Sequence, residues 1–322
     1  MPSTLVHRRL LTIAALSLPL AAAAFPDRTI EWVVPYPAGG GSDVVARTLA
    51  EPMGRALGQT IVVNNKPGAA TNIGADYAAR AKADGHVMLT ADTATLAANP
   101  SLYAKLPYNA EKDFAPVGLM ARFPMLLVVN AAVPVKTLAE FTAWAGKQAD
   151  GVTYATPGGG SPHHLATELF RERSGLKLTH VPYRGAAPAV QDVVGGQVPF
   201  MFVDTASGYP HILSGKLRAI GVASPKRVSG FDTVPTLAEQ GMKEFEAYAW
   251  QGLVVPAATP TAAVATLNKA LLSALGSTAV KARFQTLGLE AIPGTPAQMA
   301  TYARTEREKW GRVIRANNIR LD

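Results

Sequence analysis

Apolar residues follow two alternating patterns along the first third of the chain. Short, nearly continuous apolar runs occupy residues 29–34, 60–64 and 86–90, and segments with apolar residues at helical spacing lie between them at 42–57 and 71–83. Continuous apolar runs are typical of parallel strands that are buried on both faces. Their alternation with helices predicts a largely parallel sheet with helices on both faces.

A second unit of the same kind is predicted after a long apolar run at residues 117–130. This run is longer than an average strand and contains Pro124, so we expect it to pass between two units. The next helix begins with Thr137 and Glu140 at the spacing of a capping box. The further predicted strands are 152–155, 178–181, 198–203, 217–223 and 252–256, and the predicted helices are 137–149 and 161–174.

The chain closes with three helices whose starts are marked by Thr259, Ser277 and Thr295. Each start is followed by apolar residues at helical spacing, and Pro follows Thr259 and Thr295 directly. The second α/β unit is therefore predicted to be inserted between the first unit and these closing helices.

The N-terminal 24 residues have the three parts of a secretory signal peptide. Arg8 and Arg9 precede an apolar run at residues 10–20, and small residues at 21–24 offer a cleavage site near Ala24. The apolar run is too short for a permanent membrane anchor. We therefore expect an exported, periplasmic protein, and the paired arginines leave both the Sec and the twin-arginine route open.

The composition excludes several classes of protein and site. The 322 residues include no cysteine, which excludes disulfides, iron–sulfur clusters, thiolate nucleophiles and Cys-ligated zinc. Apolar residues make up 48% of the chain, too many for a disordered protein. The net charge of +8 comes from scattered basic residues, so nucleic acid is not expected as a partner, while a mild positive field favours small anionic ligands.

The sequence Gly-Gly-Gly-Ser occurs twice, at residues 39–42 and 158–161. Each copy follows a predicted strand and opens a predicted helix. Glycines allow a tight turn with exposed N–H groups, the hydroxyl can cap the helix, and the positive end of the helix dipole attracts anions. Two such loops indicate a ligand held between the two units. The alternative is a pair of tight strand–helix turns without a ligand.

Neither loop satisfies a known nucleotide or nucleophile motif. A P-loop requires Lys after its last glycine, where Ser42 and Ser161 stand, and a dinucleotide fingerprint requires Gly at the position of Val44. A nucleophile elbow requires a second Gly where His163 stands. His163 and His164 are adjacent, so they do not share a helix face and are not expected to hold a metal. We therefore predict no cofactor and no metal.

Other polar residues follow predicted strands, where ligands bind in parallel sheets. Thr93 and Thr95 follow the third strand and offer hydroxyl donors, or form an ordinary polar turn. Asp204 either accepts a hydrogen bond from a ligand or caps the next segment. Tyr183 would suit an aromatic ligand, and Arg184 either pairs with a carboxylate or is a solvated surface residue.

At this point the chain resembles a known family, the periplasmic solute-binding proteins of tripartite tricarboxylate transporters, or Bug-type receptors. The resemblance covers nearly all of residues 26–322. It is carried by six stretches in order: 35–43 (PYPAGGGSD), 64–69 (NNKPGA), 99–103 (NPSLY), 158–165 (GGGSPHHL), 180–185 (HVPYRG) and 215–219 (GKLRA). Ala38, Ser42 and Arg184 stand where the family often has Pro, Thr and Lys. None of these departures removes a donor, although Ala does not fix φ as Pro does.

The resemblance implies a two-lobe, type II periplasmic-binding-protein fold of the α/β class, the Venus flytrap. Residues 25–125 and 252–322 would form the first lobe and residues 126–251 the second. A small carboxylate would be held largely by backbone N–H groups of the first glycine loop, and the second loop would close on its other end. The implied ligand-binding residues are Tyr36, Ala38, Gly39, Gly40, Gly41, Ser42, Asp43, Thr93, Thr95, Gly159, Gly160, Ser161, His164, Tyr183 and Asp204.

The same resemblance implies a monomeric, non-enzymatic receptor that delivers its ligand to membrane transport subunits. A di- or tricarboxylate, an acidic amino acid and an aromatic acid all suit the two loops. Two other functions remain open at this point. The protein could present its ligand to a signalling receptor, or it could be an exported esterase with Ser42 or Ser161 activated by one of the two adjacent histidines.

Overall fold

The computed structural model describes residues 25–321, which form ten strands and ten α-helices; the predicted signal peptide lies outside them. In chain order the strands are β1 (Ile30–Val34), β2 (Ile61–Asn65), β3 (Val87–Asp92), β4 (Phe114–Asn130), β5 (Val152–Thr156), β6 (Leu178–Pro182), β7 (Phe200–Asp204), β8 (Leu217–Val222), β9 (Tyr248–Pro256) and β10 (Glu290–Ala291). The helices are α1 (Gly41–Leu57), α2 (Asn72–Ala79), α3 (Asn99–Leu102), α4 (Leu138–Gly146), α5 (Pro162–Ser174), α6 (Ala186–Val194), α7 (Thr205–Leu213), α8 (Thr261–Gly276), α9 (Thr278–Thr286) and α10 (Pro296–Ala316). A π-helical turn covers Thr93–Ala98.

Two sheets share the long strand β4. In the first sheet the order is β2-β1-β3-β9-β4, with β10 added to β4, and in the second it is β6-β5-β7-β4-β8. The strands β1, β2 and β3 are parallel, as are β5, β6 and β7, but β4 and β9 run antiparallel to their neighbours. The predicted parallel strands are therefore present, and mixed pairing replaces them where the chain crosses between the sheets.

Pro124 lies where β4 changes partners. Up to this residue β4 pairs with β9, and from Met125 onward it pairs with β7 and β8. Proline has no N–H to donate to a ladder, so a change of partner is a favourable place for it. The predicted apolar run thus forms one strand of both sheets. The lobe boundaries at 125/126 and 251/252 stay a prediction.

One apolar cluster extends across both sheets and joins them. It includes Val33 and Leu89 of the first sheet, Phe200 of the second, and the fully buried Trp250 and Trp310. Trp310 belongs to α10, so the last helix packs on the surface where the sheets meet. Burial of these large side chains stabilises the contact between the two sheets by about 25 cal/mol per Å² of apolar area.

Local signals located most helix starts. Thr295 and Gln298 form a complete capping box at α10, and Ser277 caps α9. The capping box expected at α4 is half formed, because the Thr137 hydroxyl accepts the Glu140 N–H but the Glu140 carboxylate accepts the N–H of Lys136. In the described part of the chain, no single helix is long and apolar enough to cross a membrane; only α8 and α9 taken together, with a 66° bend, meet that length and composition.

Two helices of the second sheet were not predicted. The helix α7 contains Gly208 and Pro210, which normally interrupt helices. Gly208 lies so close to β7 that a Cβ there would come within 2.7 Å of a Val203 methyl. The helix α6 follows Gly185 and includes Pro188 in its first turn. Proline is tolerated in a first turn, so only α7 forms against its local sequence preference, and tertiary packing sets it.

Candidate functional site

Helical segments begin beyond the carboxyl ends of the parallel strands. Five of them contain or follow candidate residues: α1 after β1, the π-helical turn after β3, α5 after β5, α6 after β6, and α7 after β7. Ligands bind at this edge of parallel α/β sheets, where helix N-termini present unpaired N–H groups. The candidate residues of the sequence analysis lie at these positions, including Tyr183, which directly follows β6.

The first glycine loop is exposed, and it leads into a helix with an open N-terminus. Ala38, Gly39, Gly40 and Gly41 are all exposed, and no side chain caps α1. The first bonded amide of this turn is Val44, whose N–H donates to the Gly40 carbonyl at 2.9 Å. The amides ahead of it have no intrahelical acceptor and carry the positive end of the helix dipole. This loop can bind an anion through its backbone.

Only one glycine of this loop needs its conformational freedom. Gly39 has φ +81°, a value that other residues rarely adopt, whereas Gly41 has an ordinary negative φ within α1. A substitution at Gly41 is therefore not opposed by its backbone angle. Its constraint is steric, because a Cβ at Gly41 would lie 3.3 Å from Cε1 of the buried Phe123.

Ser42 does not cap α1 as the loop pattern suggested. Its Oγ accepts a hydrogen bond of 2.7 Å from Nε2 of Gln251, a residue 209 positions away on β9. Gln251 is 5% exposed, and its Oε1 has no partner within residues 25–321. Sequence reasoning missed Gln251, although a lone amide inside the apolar run of β9 was the available signal.

Asp43 braces the loop from inside. Its carboxylate accepts hydrogen bonds from the Gly39 N–H at 2.9 Å, from Nε of Arg47 at 3.0 Å and from Nδ2 of Asn65 at 2.9 Å. Burial by itself would raise the pKa of Asp43, but the bonds from Arg47, Gly39 and Asn65 outweigh it and lower the pKa. The carboxylate is thus ionised and held by protein donors, and it fixes the shape of the loop.

Tyr36 and Asp92 form a second polar cluster beside the loop. The Tyr36 hydroxyl donates to Oδ2 of Asp92, and Oδ1 of Asp92 accepts the Thr95 N–H at 2.9 Å, which caps the π-helical turn. Burial, followed by the neighbouring Asp92, raises the pKa of Tyr36 well above its usual value, and burial raises the pKa of Asp92. Asp92 was not among the predicted site residues, because only the hydroxyls after this strand were weighed.

Thr93 and Thr95 are fully buried and bonded to protein groups. The Thr93 Oγ1 accepts the Trp250 N–H at 3.0 Å, which ties the turn to β9. The Thr95 Oγ1 donates to Oγ1 of Thr71 at 3.0 Å. The two hydroxyls therefore hold the site together in this conformation.

The second glycine loop differs from the first because its hydrogen-bond donors are largely bonded to groups of the protein. Ser161 caps α5 by accepting the His164 N–H at 3.2 Å, and its hydroxyl donates to the Gly158 carbonyl at 2.8 Å. The Gly160 N–H donates to Nδ1 of His164 at 3.0 Å. Gly159 and Gly160 also face apolar side chains of α3 and the C-terminal segment, since a Cβ on either would overlap Leu321 or Leu102.

His164 belongs to an aromatic stack behind the second loop. Its ring lies 3.9 Å from that of His180 at an interplanar angle of 9°, and Tyr154 stacks on His180 at 5.1 Å. Burial, followed by the neighbouring His180, lowers the pKa of His164 to about 4. Burial also lowers the pKa of His180. Both rings are therefore neutral near pH 7, and His164 can accept the Gly160 N–H.

Asp204 serves as a helix cap and as the partner of a histidine. Its Oδ1 accepts the Ser207 N–H at 2.9 Å, and its Oδ2 lies 3.1 Å from Nε2 of His163. Burial by itself would raise the pKa of Asp204, but the hydrogen bond and charge of His163 lower it. The capping alternative is therefore realised. Within the described residues Nδ1 of the buried His163 has no partner.

Tyr183 lies beside the second glycine loop through its backbone, whose N–H donates to the Thr156 carbonyl at 2.9 Å. Its hydroxyl donates to Oδ2 of Asp192 at 2.7 Å, and its ring packs on an apolar cluster of the second sheet. Arg184 is exposed, as a surface arginine would be. Among residues 25–321 no group of three or more potential metal ligands is present.

Comparison with known proteins gives a consistent result. The family described as tripartite tricarboxylate transporter family receptor matches residues 45–319. BugT of Bordetella pertussis is 36% identical over 309 residues, which cover 96% of this chain and 95% of BugT. Two solved structures are similar along their whole length. Rpa4515 of R. palustris with adipate has 32% identity and a TM-score of 0.85, covering 92% of this chain and 100% of that one.

MatC from Rhodopseudomonas palustris with bound malate has 34% identity and a TM-score of 0.81, covering 90% of this chain and 100% of that one. The agreement extends over the sequence and the fold together. The chain therefore belongs to the tripartite tricarboxylate transporter receptor family, the Bug-type solute-binding proteins with the two-lobe periplasmic-binding-protein fold.

Proposed function

We propose that this receptor captures a small carboxylate between its two sheets. The observation that carries the proposal is the exposed loop at residues 38–41 leading into the uncapped N-terminus of α1. A carboxylate there would accept hydrogen bonds from backbone N–H groups at the positive end of α1, a helix of 17 residues. Two relatives with a similar fold contain dicarboxylates, adipate and malate, which supports the ligand class.

The magnitudes agree with reversible capture. Hydrogen bonds to charged groups contribute about 1.5–3 kcal/mol each. Four or five of them, less about 4 kcal/mol or more for association, leave about −8 kcal/mol, which corresponds to micromolar affinity. A ligand that touches both sheets binds the closed arrangement better than the open one, so binding shifts the protein toward closure.

We further propose that the mature protein begins near residue 25 in the periplasm and delivers its ligand to membrane subunits of a tripartite tricarboxylate transporter. The family description and the signal-peptide pattern of residues 1–24 support this role. An esterase mechanism is not supported at Ser161. Its hydroxyl donates to the Gly158 carbonyl, and Nδ1 of His164 accepts the Gly160 N–H rather than the serine proton.

The test is thermal unfolding of residues 25–322, freed of carried-over ligand by unfolding and refolding, against a panel of acids. The panel contains malate, adipate, succinate, citrate, aspartate, glutamate and nicotinate. Binding to the native state alone stabilises it by about 2.7 kcal/mol at a hundredfold excess over Kd, which is a shift of a few degrees. A shift with one class of acid supports the proposal and names the ligand. No shift with any acid at millimolar concentration overturns it.

A further inference from the structure

Three consecutive residues without the freedom of glycine adopt left-handed backbone angles between β2 and α2. Ala69, Ala70 and Thr71 have φ of 45°, 49° and 80°. Such angles are unfavourable for any residue with a Cβ, and for a β-branched residue they are an outlier. Strain of this kind persists only where the surrounding structure enforces it, and it concentrates at functional sites.

Contacts of the Thr71 side chain explain what holds the segment. Thr71 is 2% exposed, and its Oγ1 accepts hydrogen bonds from Oγ1 of Thr95 at 3.0 Å and from Nδ2 of Asn99 at 3.3 Å. The same Asn99 amide donates to the Ala70 carbonyl at 2.7 Å. The strained segment is therefore fastened to the π-helical turn through the Thr71 hydroxyl.

From Thr95 the hydrogen bonds continue to the first glycine loop. The Thr95 N–H donates to Asp92, and Asp92 accepts the Tyr36 hydroxyl. Tyr36 precedes the exposed residues 38–41 by one proline, and its carbonyl accepts Nδ2 of Asn65, which also donates to Asp43. Buried and partly buried hydrogen bonds thus connect Thr71 to the loop through Thr95, Asp92 and Tyr36.

We propose that Thr71 is a positioning residue of the carboxylate site, which holds Thr95, and through it Asp92 and Tyr36, in place beside the first glycine loop. A glycine at position 71 would adopt φ of 80° without strain, but it would leave the buried Thr95 hydroxyl without its acceptor. The proposal rests on the proposed function, since it concerns the same site.

Four variants separate the hydroxyl from the strain. Thr71→Ser keeps the hydroxyl, Thr71→Ala removes the hydroxyl and keeps the Cβ, and Thr71→Gly removes both. Ala70→Gly is the matched control. Ala70 is exposed with φ of 49°, and its hydrogen bond from Asn99 is accepted by the backbone carbonyl, which glycine retains. We expect affinity for the acid that binds the wild type to fall about tenfold in Thr71→Ala and Thr71→Gly. Thr71→Ser and Ala70→Gly should retain it within twofold.

Thermal stability should follow a different order. Thr71→Gly should have a higher Tm than Thr71→Ala, and Ala70→Gly a higher Tm than the wild type, because each glycine relieves left-handed strain. A merely structural role predicts instead that affinity follows Tm across all four variants. That result, or unchanged affinity in Thr71→Ala, would overturn the proposal.

A measurement without ligand keeps the proposal testable if no acid in the panel binds. Hydrogen exchange at the Thr95 amide reports whether the turn is still held to Asp92. We expect faster exchange in Thr71→Ala and Thr71→Gly and wild-type exchange in Thr71→Ser and Ala70→Gly. Wild-type exchange in Thr71→Ala contradicts the positioning role. Faster exchange in Thr71→Ala and Thr71→Gly, together with a wild type that binds no acid of the panel, supports the positioning role and refutes only the proposed ligand class.

Discussion

At the scale of single residues, the two glycine loops share a sequence but not a chemistry. The first presents open amides, with its shape fixed by the ionised Asp43. In the second, the His164 ring accepts the Gly160 N–H and the Ser161 hydroxyl accepts the His164 N–H, so these amides are not open to a ligand. The difference arises because a hydroxyl at the N-cap satisfies a helix end, whereas a glycine at the N-cap leaves it open.

Gly39→Ala should weaken ligand binding without unusual loss of stability. Gly39 has φ +81° and open space around its Cα, and so does Gly58, which ends the same helix with φ +66°. Alanine at either position should cost about 1 kcal/mol of left-handed strain. Denaturant unfolding and calorimetric titration should show similar stability losses, with reduced affinity only in Gly39→Ala. Equal affinities in Gly39→Ala and Gly58→Ala would contradict a backbone site at this loop.

Stability should fall as the pH drops from about 6.5 to about 4, partly because of His164. Its pKa is lowered to about 4 in the folded protein, so the unfolded chain binds more protons in this window and acid favours unfolding. This contribution of His164 to the free energy of unfolding is complete above the pKa of histidine in the unfolded chain, about 6.5, and amounts to at most about 3 kcal/mol. Urea unfolding between pH 7 and pH 4.5 measures it.

The matching variant for this pH dependence is His164→Asn, which retains an acceptor for the Gly160 N–H but does not titrate. It should flatten the dependence of stability on pH. His211→Asn, on α7 outside the stack, should keep the wild-type slope. An unchanged slope in His164→Asn would show that the stack does not carry the effect.

At the scale of elements, local chemistry located helix starts and long-range packing decided strand partners. The caps Ser161, Ser277 and Thr295 act within four residues of themselves, so they could be identified from the sequence. The antiparallel crossing of β4 and β9 depends on residues more than 120 positions apart, and no local pattern reports it.

Ser161→Ala should destabilise the protein by about 1 kcal/mol through loss of the α5 cap. Ser277→Ala removes the same kind of cap from α9, away from the carboxyl edges, and should lose a similar amount. Hydrogen exchange should distinguish the two, with faster exchange at the Gly160 amide only in Ser161→Ala, since Ser161 also holds Gly158. Equal exchange at Gly160 in both variants would mean that the second loop does not depend on its serine.

At the scale of the whole molecule, closure is the expected response to ligand, and the absence of cysteine makes it measurable. Val62 on β2 is 50% exposed and Leu213 on α7 is 73% exposed. Val62→Cys with Leu213→Cys therefore places one spin label on the first sheet and one on a helix packed against the second. Saturating ligand should narrow and shift the distribution of distances between the two labels. In a ligand titration this change should be half complete at the Kd measured by calorimetry. The pair Val62→Cys and Ile73→Cys, both on the first sheet's side, should show no change. An unchanged distribution in the first pair would refute closure.

The sequence by itself determined the alternation of strands and helices, most helix starts and the stretches that carry the family resemblance, because these depend on residues close together in the chain. It also identified the glycine loops, Tyr36 and Asp204. Tertiary structure alone decided that Asp92 bonds Tyr36, that Gln251 bonds Ser42, that the Tyr183 hydroxyl bonds Asp192 and that Thr71 is strained. The physical reason is distance along the chain, since the partners of a buried polar group are set by how the sheets pack, as the bond from Gln251 to Ser42 across 209 residues shows.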